Sequence, residues 1–113
     1  MNSLTDITWI TEIILEGADC YNLITAANQA GRGITEECHH LLYEVVEISD
    51  EGADYNIADA GLTYLHGGDS LGIDLQLELP GTLAVAIEEI AEEWEMSFPE
   101  AVTKVIQEGL SRI

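Results

Sequence analysis

Ile73-Asp74-Leu75-Gln76-Leu77-Glu78-Leu79 alternates apolar and polar residues with period two, and Pro80 closes the run. Successive side chains of a strand point to opposite faces. The spacing therefore predicts a strand that buries Ile73, Leu75, Leu77 and Leu79 and turns Asp74, Gln76 and Glu78 outward. Beyond Pro80 the period changes. Leu83, Ile87, Ile90, Ala91 and Trp94 recur every three or four residues and predict one apolar stripe on a helix over residues 82–96. Ser97-Phe98-Pro99-Glu100 then predicts the start of a second helix. Ser97 is the N-cap, Pro99 lies in the first turn and Glu100 follows three residues after the cap, with Ala101, Val102, Val105, Ile106 and Leu110 as the apolar stripe.

Upstream of this unit the sequence reads as helix. Thr5 or Asp6 can cap a segment in which Ile7, Ile10, Ile14, Ala18, Tyr21 and Ile24 share one helical face, and Gly31-Arg32-Gly33 ends it. Thr35 caps a second segment with Glu36 and Glu37 in its first turn and Cys38, Leu41, Leu42, Val45 and Ile48 along its stripe. Ser49-Asp50-Glu51-Gly52 predicts a bend, after which helix continues through Ala53, Ile57, Ala60 and Leu65 to Gly67-Gly68. The expected fold is thus mainly α: an N-terminal helical hairpin over residues 1–68, then a β-α-α module over residues 69–113. Glu16-Gly17-Ala18-Asp19 and Glu51-Gly52-Ala53-Asp54 are similar, and Gly17, Ala18, Gly52 and Ala53 are read as small residues that let the two hairpin helices approach closely.

The order of strand, proline, helix, short turn and helix resembles the ribbon-helix-helix family of prokaryotic repressors and antitoxins, over about a third of the chain. The resemblance implies that two chains pair this strand into an antiparallel ribbon. Leu75, Leu77 and Leu79 are then dimerisation residues, and Asp74, Gln76 and Glu78 are the positions that read bases in the major groove. It also implies that the N-terminus of the second helix, at Ser97, Phe98 and Glu100, holds phosphates.

Charge opposes that last implication. Against 22 Asp and Glu stand only Arg32, Lys104 and Arg112, for a formal net charge of -19. Phosphate neutralisation supplies most non-specific DNA affinity and needs lysine and arginine. The charge argues against direct duplex binding and for fast, salt-sensitive attraction to basic protein surfaces, such as a nuclease, a toxin or a nucleic-acid-binding protein. Glu outnumbers Asp, which argues against salt adaptation as the source of the acidity.

Catalytic and metal motifs are weak. Glu37-Cys38-His39-His40 with Glu44 carries possible metal ligands, but no second ligand pair at recognisable spacing occurs, and the histidines read as a pair on a solvated helix. Cys20 and Cys38 read as reduced, part-buried thiols. No phosphate loop or nucleophile elbow appears, and no cofactor or metal is expected. No apolar run is long enough to span a membrane and no basic leader precedes one, so the expectation is a cytoplasmic protein of a prokaryote or phage.

The function expected is a non-catalytic, acidic, homodimeric binding protein: an inhibitor, an antitoxin or immunity protein, or a DNA mimic that engages a basic partner. Its expected contact residues are Asp74, Gln76 and Glu78 on the strand, Glu88, Glu89, Glu92 and Glu93 on the following helix, and Asp50, Glu51 and Asp54 in the hairpin. The alternative is the regulator that the family resemblance implies, binding its operator through the ribbon.

Overall fold

The computed structural model describes residues 7–48, 62–67 and 70–113. The elements run β1 (Trp9–Glu16), α1 (Ala18–Ala30), α2 (Ile34–Val46), β2 (Leu62–Gly67), β3 (Ser70–Leu79), α3 (Gly81–Trp94) and α4 (Phe98–Ser111). The three strands form one antiparallel sheet in the order β1-β3-β2.

The strand anchored on residues 73–79 is present, with the expected phase. Ile73, Leu75, Leu77 and Leu79 are fully buried, while Gln76 and Glu78 are exposed and Asp74 is half-buried. Its place in the sheet differs from the expected ribbon. β3 is the central strand, paired along residues 72–79 with β1 and along residues 70–75 with β2 of the same chain. Leu75, Leu77 and Leu79 therefore pack inside this chain rather than across a strand-paired dimer. They share one core with Ile13 and Leu15 of β1, Leu23 of α1, Leu41 and Leu42 of α2, Leu83 and Ile87 of α3, and Val102, Val105 and Ile106 of α4.

The N-terminal half corrects the expected helical hairpin. Residues 9–16 are a strand, and α1 begins only at Ala18. Ile7, Ile10 and Ile14 fit a helical stripe by spacing, yet they are exposed at 47%, 63% and 48%, whereas Thr11, Ile13 and Leu15 are buried. The governing period is two, not 3.6. Strand is also what the local chemistry favours, because Ile7, Thr8, Ile10, Thr11, Ile13 and Ile14 are all β-branched and stiff at χ1. Gly17 makes the corner between strand and helix at φ 61 and ψ -129, a region open in practice to glycine alone. A Cβ there would meet nothing within 4 Å, so its role is backbone conformation rather than the close helix packing expected of it.

The turn between the two helices falls where expected, but the cap of α2 is Gly33 rather than Thr35, which lies buried inside the first turn and makes no side-chain cap bond. Gly31 adopts the left-handed conformation at φ 70, and the Arg32 N–H closes the helix end on the Ala27 carbonyl at 2.9 Å. α2 starts after Gly33 and ends at Glu47, which is itself left-handed at φ 58. Leu65, expected on a helix, lies in β2. Asp50, Glu51, Gly52, Ala53 and Asp54 lie outside the described residues. The fold is thus mixed α and β, with a sheet that draws β1 and β2 from one side of the boundary expected at residues 68 and 69 and β3 from the other.

In the C-terminal pair, α3 and α4 fall where expected. Ser97 caps α4 by accepting a hydrogen bond from the Glu100 N–H at 3.3 Å, and Trp9 packs its ring against Phe98 with centroids 5.1 Å apart. α4 lies close on α2 at Gly109, where an added Cβ would sit 3.1 Å from Leu41 Cδ2. Among the described residues no helix is long and apolar enough to cross a membrane.

Candidate functional site

One face of the sheet is sealed by helices, and among the described residues the other is open. The register places the open-face side chains in cross-strand pairs: Ile10 with Glu78, Glu12 with Gln76, Ile14 with Asp74, and Glu16 with Gly72. β2 adds Thr63 beside Asp74 and Leu65 beside Gly72. Gly72 matters here because a Cβ would lie 3.3 Å from both Glu16 Cγ and the Leu15 carbonyl, so its bareness lets the Glu16 side chain lie across the strand.

Four carboxylates, Glu12, Glu16, Asp74 and Glu78, therefore share one face with Gln76 and two exposed isoleucines. No lysine or arginine neutralises them. All three such residues are engaged elsewhere: Arg32 with Glu37 at 3.1 Å, Arg112 with Glu108 at 3.6 Å, and Lys104 over the Trp94 ring at 5.9 Å from its centroid. No two of them stand directly opposite each other in the ladder of β1 and β3, since each carboxylate faces an isoleucine, a glutamine or a glycine, but together they give this face a single sign of charge.

The structure thus keeps Asp74, Gln76 and Glu78 together and adds Glu12 and Glu16, which the helical reading of residues 7–24 hid. Alternation of Glu12, Ile14 and Glu16 with Thr11, Ile13 and Leu15 was the available signal. On α3, Glu89, Glu92 and Glu93 are exposed and Glu88 is half-buried, which makes a second acidic surface. At the end of that helix Trp94 is 41% exposed rather than part of the core stripe.

The residues with metal-ligand spacing part company. His40 Nε2 lies 3.3 Å from Glu44 Oε2 on the half-exposed side of α2. His39, expected on a solvated face, is fully buried. Its Nδ1 lies 2.9 Å from the Thr35 carbonyl and its Nε2 2.8 Å from the Glu78 carbonyl. Carbonyl oxygens only accept, so a ring with one N–H serves one of them and the doubly protonated ring serves both. Glu37 is buried and receives both bonds to its carboxylate from Arg32 Nη1, at 3.1 and 3.2 Å. A recess of about 300 Å³ runs past Arg32, Glu37, His40, Glu44 and Ile113, and its charged groups answer one another across it. Among the described residues no three His, Cys, Asp or Glu side chains converge as metal ligands. Both cysteines are buried and neither is in a disulfide, and burial pushes the Cys20 thiol up from its ordinary pKa, which favours its neutral form.

No family model matches the chain, and neither the curated proteins nor the solved structures contain a match to it.

Proposed function

We propose that the protein is a non-catalytic, acidic binding protein of the cytoplasm that engages a basic protein surface through the open face of its sheet. The observation that carries this reading is the placement of Glu12, Glu16, Asp74 and Glu78 on one face, which no helix covers among the described residues, while the lysine and both arginines of the chain are engaged elsewhere. Exposed Ile10 and Ile14 between the acids add apolar area that a partner can bury. Inhibition of a nuclease or toxin, or mimicry of a nucleic acid in a basic groove, are the activities that such a surface suits. Reading of an operator by this face is disfavoured on size as well as charge, since the major groove admits a helix or a two-stranded ribbon and β3 here carries a neighbour on each side.

The test is kinetic. Proteins captured from lysate at low salt supply the partner, and association is then followed for wild type and for a variant carrying Glu12→Gln, Glu16→Gln, Asp74→Asn and Glu78→Gln. Steering by charge acts chiefly on the association rate and is screened beyond about 10 Å at 0.1 M salt. The sheet variant is expected to associate at least about tenfold more slowly at low salt, with the gap closing as salt rises. Glu89→Gln, Glu92→Gln and Glu93→Gln on α3 serve as the comparison. Equal rates for wild type and both variants at low salt would refute the reading.

A further inference from the structure

The ladder between β1 and β3 has a fixed phase. The Gly17 N–H donates to the Leu71 carbonyl at 3.0 Å, so Gly17 and Leu71 form a bonded pair, and in an antiparallel ladder bonded and non-bonded pairs alternate. The pairs 15–73, 13–75, 11–77 and 9–79 therefore exchange their main-chain bonds. It follows that the N–H and C=O groups of Ile10, Glu12, Ile14 and Glu16 turn the other way, toward the outer edge of the sheet. Among the described residues no strand lies on that edge. The same phase turns the Glu78 carbonyl toward the β2 side, beyond the rung that pairs Leu62 with Leu75, and His39 Nε2 lies 2.8 Å from it. On the β2 side a ring nitrogen meets the end of the central strand, whereas on the β1 side no strand lies among the described residues.

Beside this outer edge lies a groove of about 320 Å³ between β1 and the first turns of α4, lined by Glu12, Ile13, Ile14, Pro99, Glu100 and Thr103. We propose that the β1 edge and this groove take up an extended, basic segment of the partner protein as a fourth strand. The mode rests on the acidic-face reading above and specifies how that face is engaged. Main-chain bonds to an edge strand provide affinity without sequence, and alternate side chains provide specificity. On an added strand, every second side chain joins the open face beside Glu12 and Glu16, where lysine or arginine is complementary. The intervening side chains enter the groove on Ile13, Pro99 and Thr103, where small apolar residues fit, with Glu100 at the rim. A second copy of this chain is the poorer occupant, since it would bring Glu12 and Glu16 of one β1 against those of another in a molecule of net charge -19.

The probe is a synthetic peptide of alternating lysine and valine, compared with an alternating serine and valine peptide and with the lysine peptide N-methylated along one edge. Hydrogen exchange at Ile10, Glu12, Ile14 and Glu16 reports the outer edge directly. The lysine peptide is expected to protect those four amides, and N-methylation to weaken binding at least about tenfold, the equivalent of one or two lost hydrogen bonds. Ile14→Pro removes an outward N–H while leaving every carboxylate and every bond to β3 in place, and is expected to act like N-methylation. If N-methylated peptide and Ile14→Pro both bind like their parents while the four-carboxylate variant is weakened, strand addition is overturned and the acidic-face reading survives. If the four-carboxylate variant binds normally but the amides are still protected, strand addition stands and the charge reading fails. A lysine peptide that binds no better than the serine peptide, or sedimentation of wild type as a dimer abolished by Ile14→Pro, overturns the basic segment as occupant.

Discussion

At the scale of the residue, His39 and Glu37 are polar side chains taken up inside the fold. His39 is the clearest case, with its ring nitrogens 2.9 Å from a carbonyl of its own helix and 2.8 Å from one at the end of the central strand. His39→Leu removes the ring nitrogen 2.8 Å from the part-buried Glu78 carbonyl, and that loss costs about 1 kcal/mol. Urea denaturation is expected to show a lower midpoint with an unchanged slope. Glu37 is comparable: a buried carboxylate is tolerable there because Arg32 closes over it. Neither role was legible in the sequence. Glu36, Glu37, His39 and His40 look alike as polar residues early in an amphipathic helix. Which of them turns inward depends on a strand that pairs with residues far away, and local spacing carries no information about that.

Elements repeat the contrast. Where a local rule decides, the sequence is readable: Ser97 caps α4, Gly31 ends α1, and residues 73–79 alternate as a strand should. The failure at β1 is instructive because two periods fit the same residues. Positions 7, 10 and 14 satisfy a helix, positions 11, 13 and 15 satisfy a strand, and six β-branched residues in the stretch tip the balance toward strand. Helix ends supply a second lesson. α3 stops at Glu95, a left-handed residue at φ 55 whose position is normally filled by glycine, and Met96 N–H closes the end on the Ala91 carbonyl at 3.0 Å. Nothing in Glu95 itself announces that. Glu95→Gly relieves about 1 kcal/mol of backbone strain and removes an acid from a helix C-terminus, where the dipole opposes it. A rise in thermal midpoint is the expected result, and an unchanged or lower midpoint would count against the cap geometry.

For the whole molecule, the decisive fact is that β3 holds the sheet together. β1 and β2 each bond to it and not to one another. A fragment of residues 1–68 therefore lacks the strand on which both of the others depend, and isolated strands with exposed amides are not stable. Circular dichroism of that fragment is expected to show no cooperative unfolding transition, and addition of residues 69–113 in trans to restore one. A cooperative transition in the fragment alone would show that the N-terminal part folds independently. The charge of the molecule was legible from composition, and so was its argument against phosphate binding. The face on which the acids gather was half legible, because Asp74, Gln76 and Glu78 alternate within one strand while Glu12 and Glu16 join them only through pairing.

The central position of β3 also sets an order in time. The outermost rung of the sheet joins Trp9 to Leu79, so during synthesis β1 leaves the ribosome long before the strand it must pair with exists. Through that interval Ile10, Ile13 and Ile14 are exposed in a segment with strong strand preference, the kind of segment that seeds aggregation. Glu12 and Glu16 interrupt it. The same carboxylates that mark the finished sheet face stand where gatekeeper residues stand, and their charge opposes association of nascent chains before Leu79 arrives.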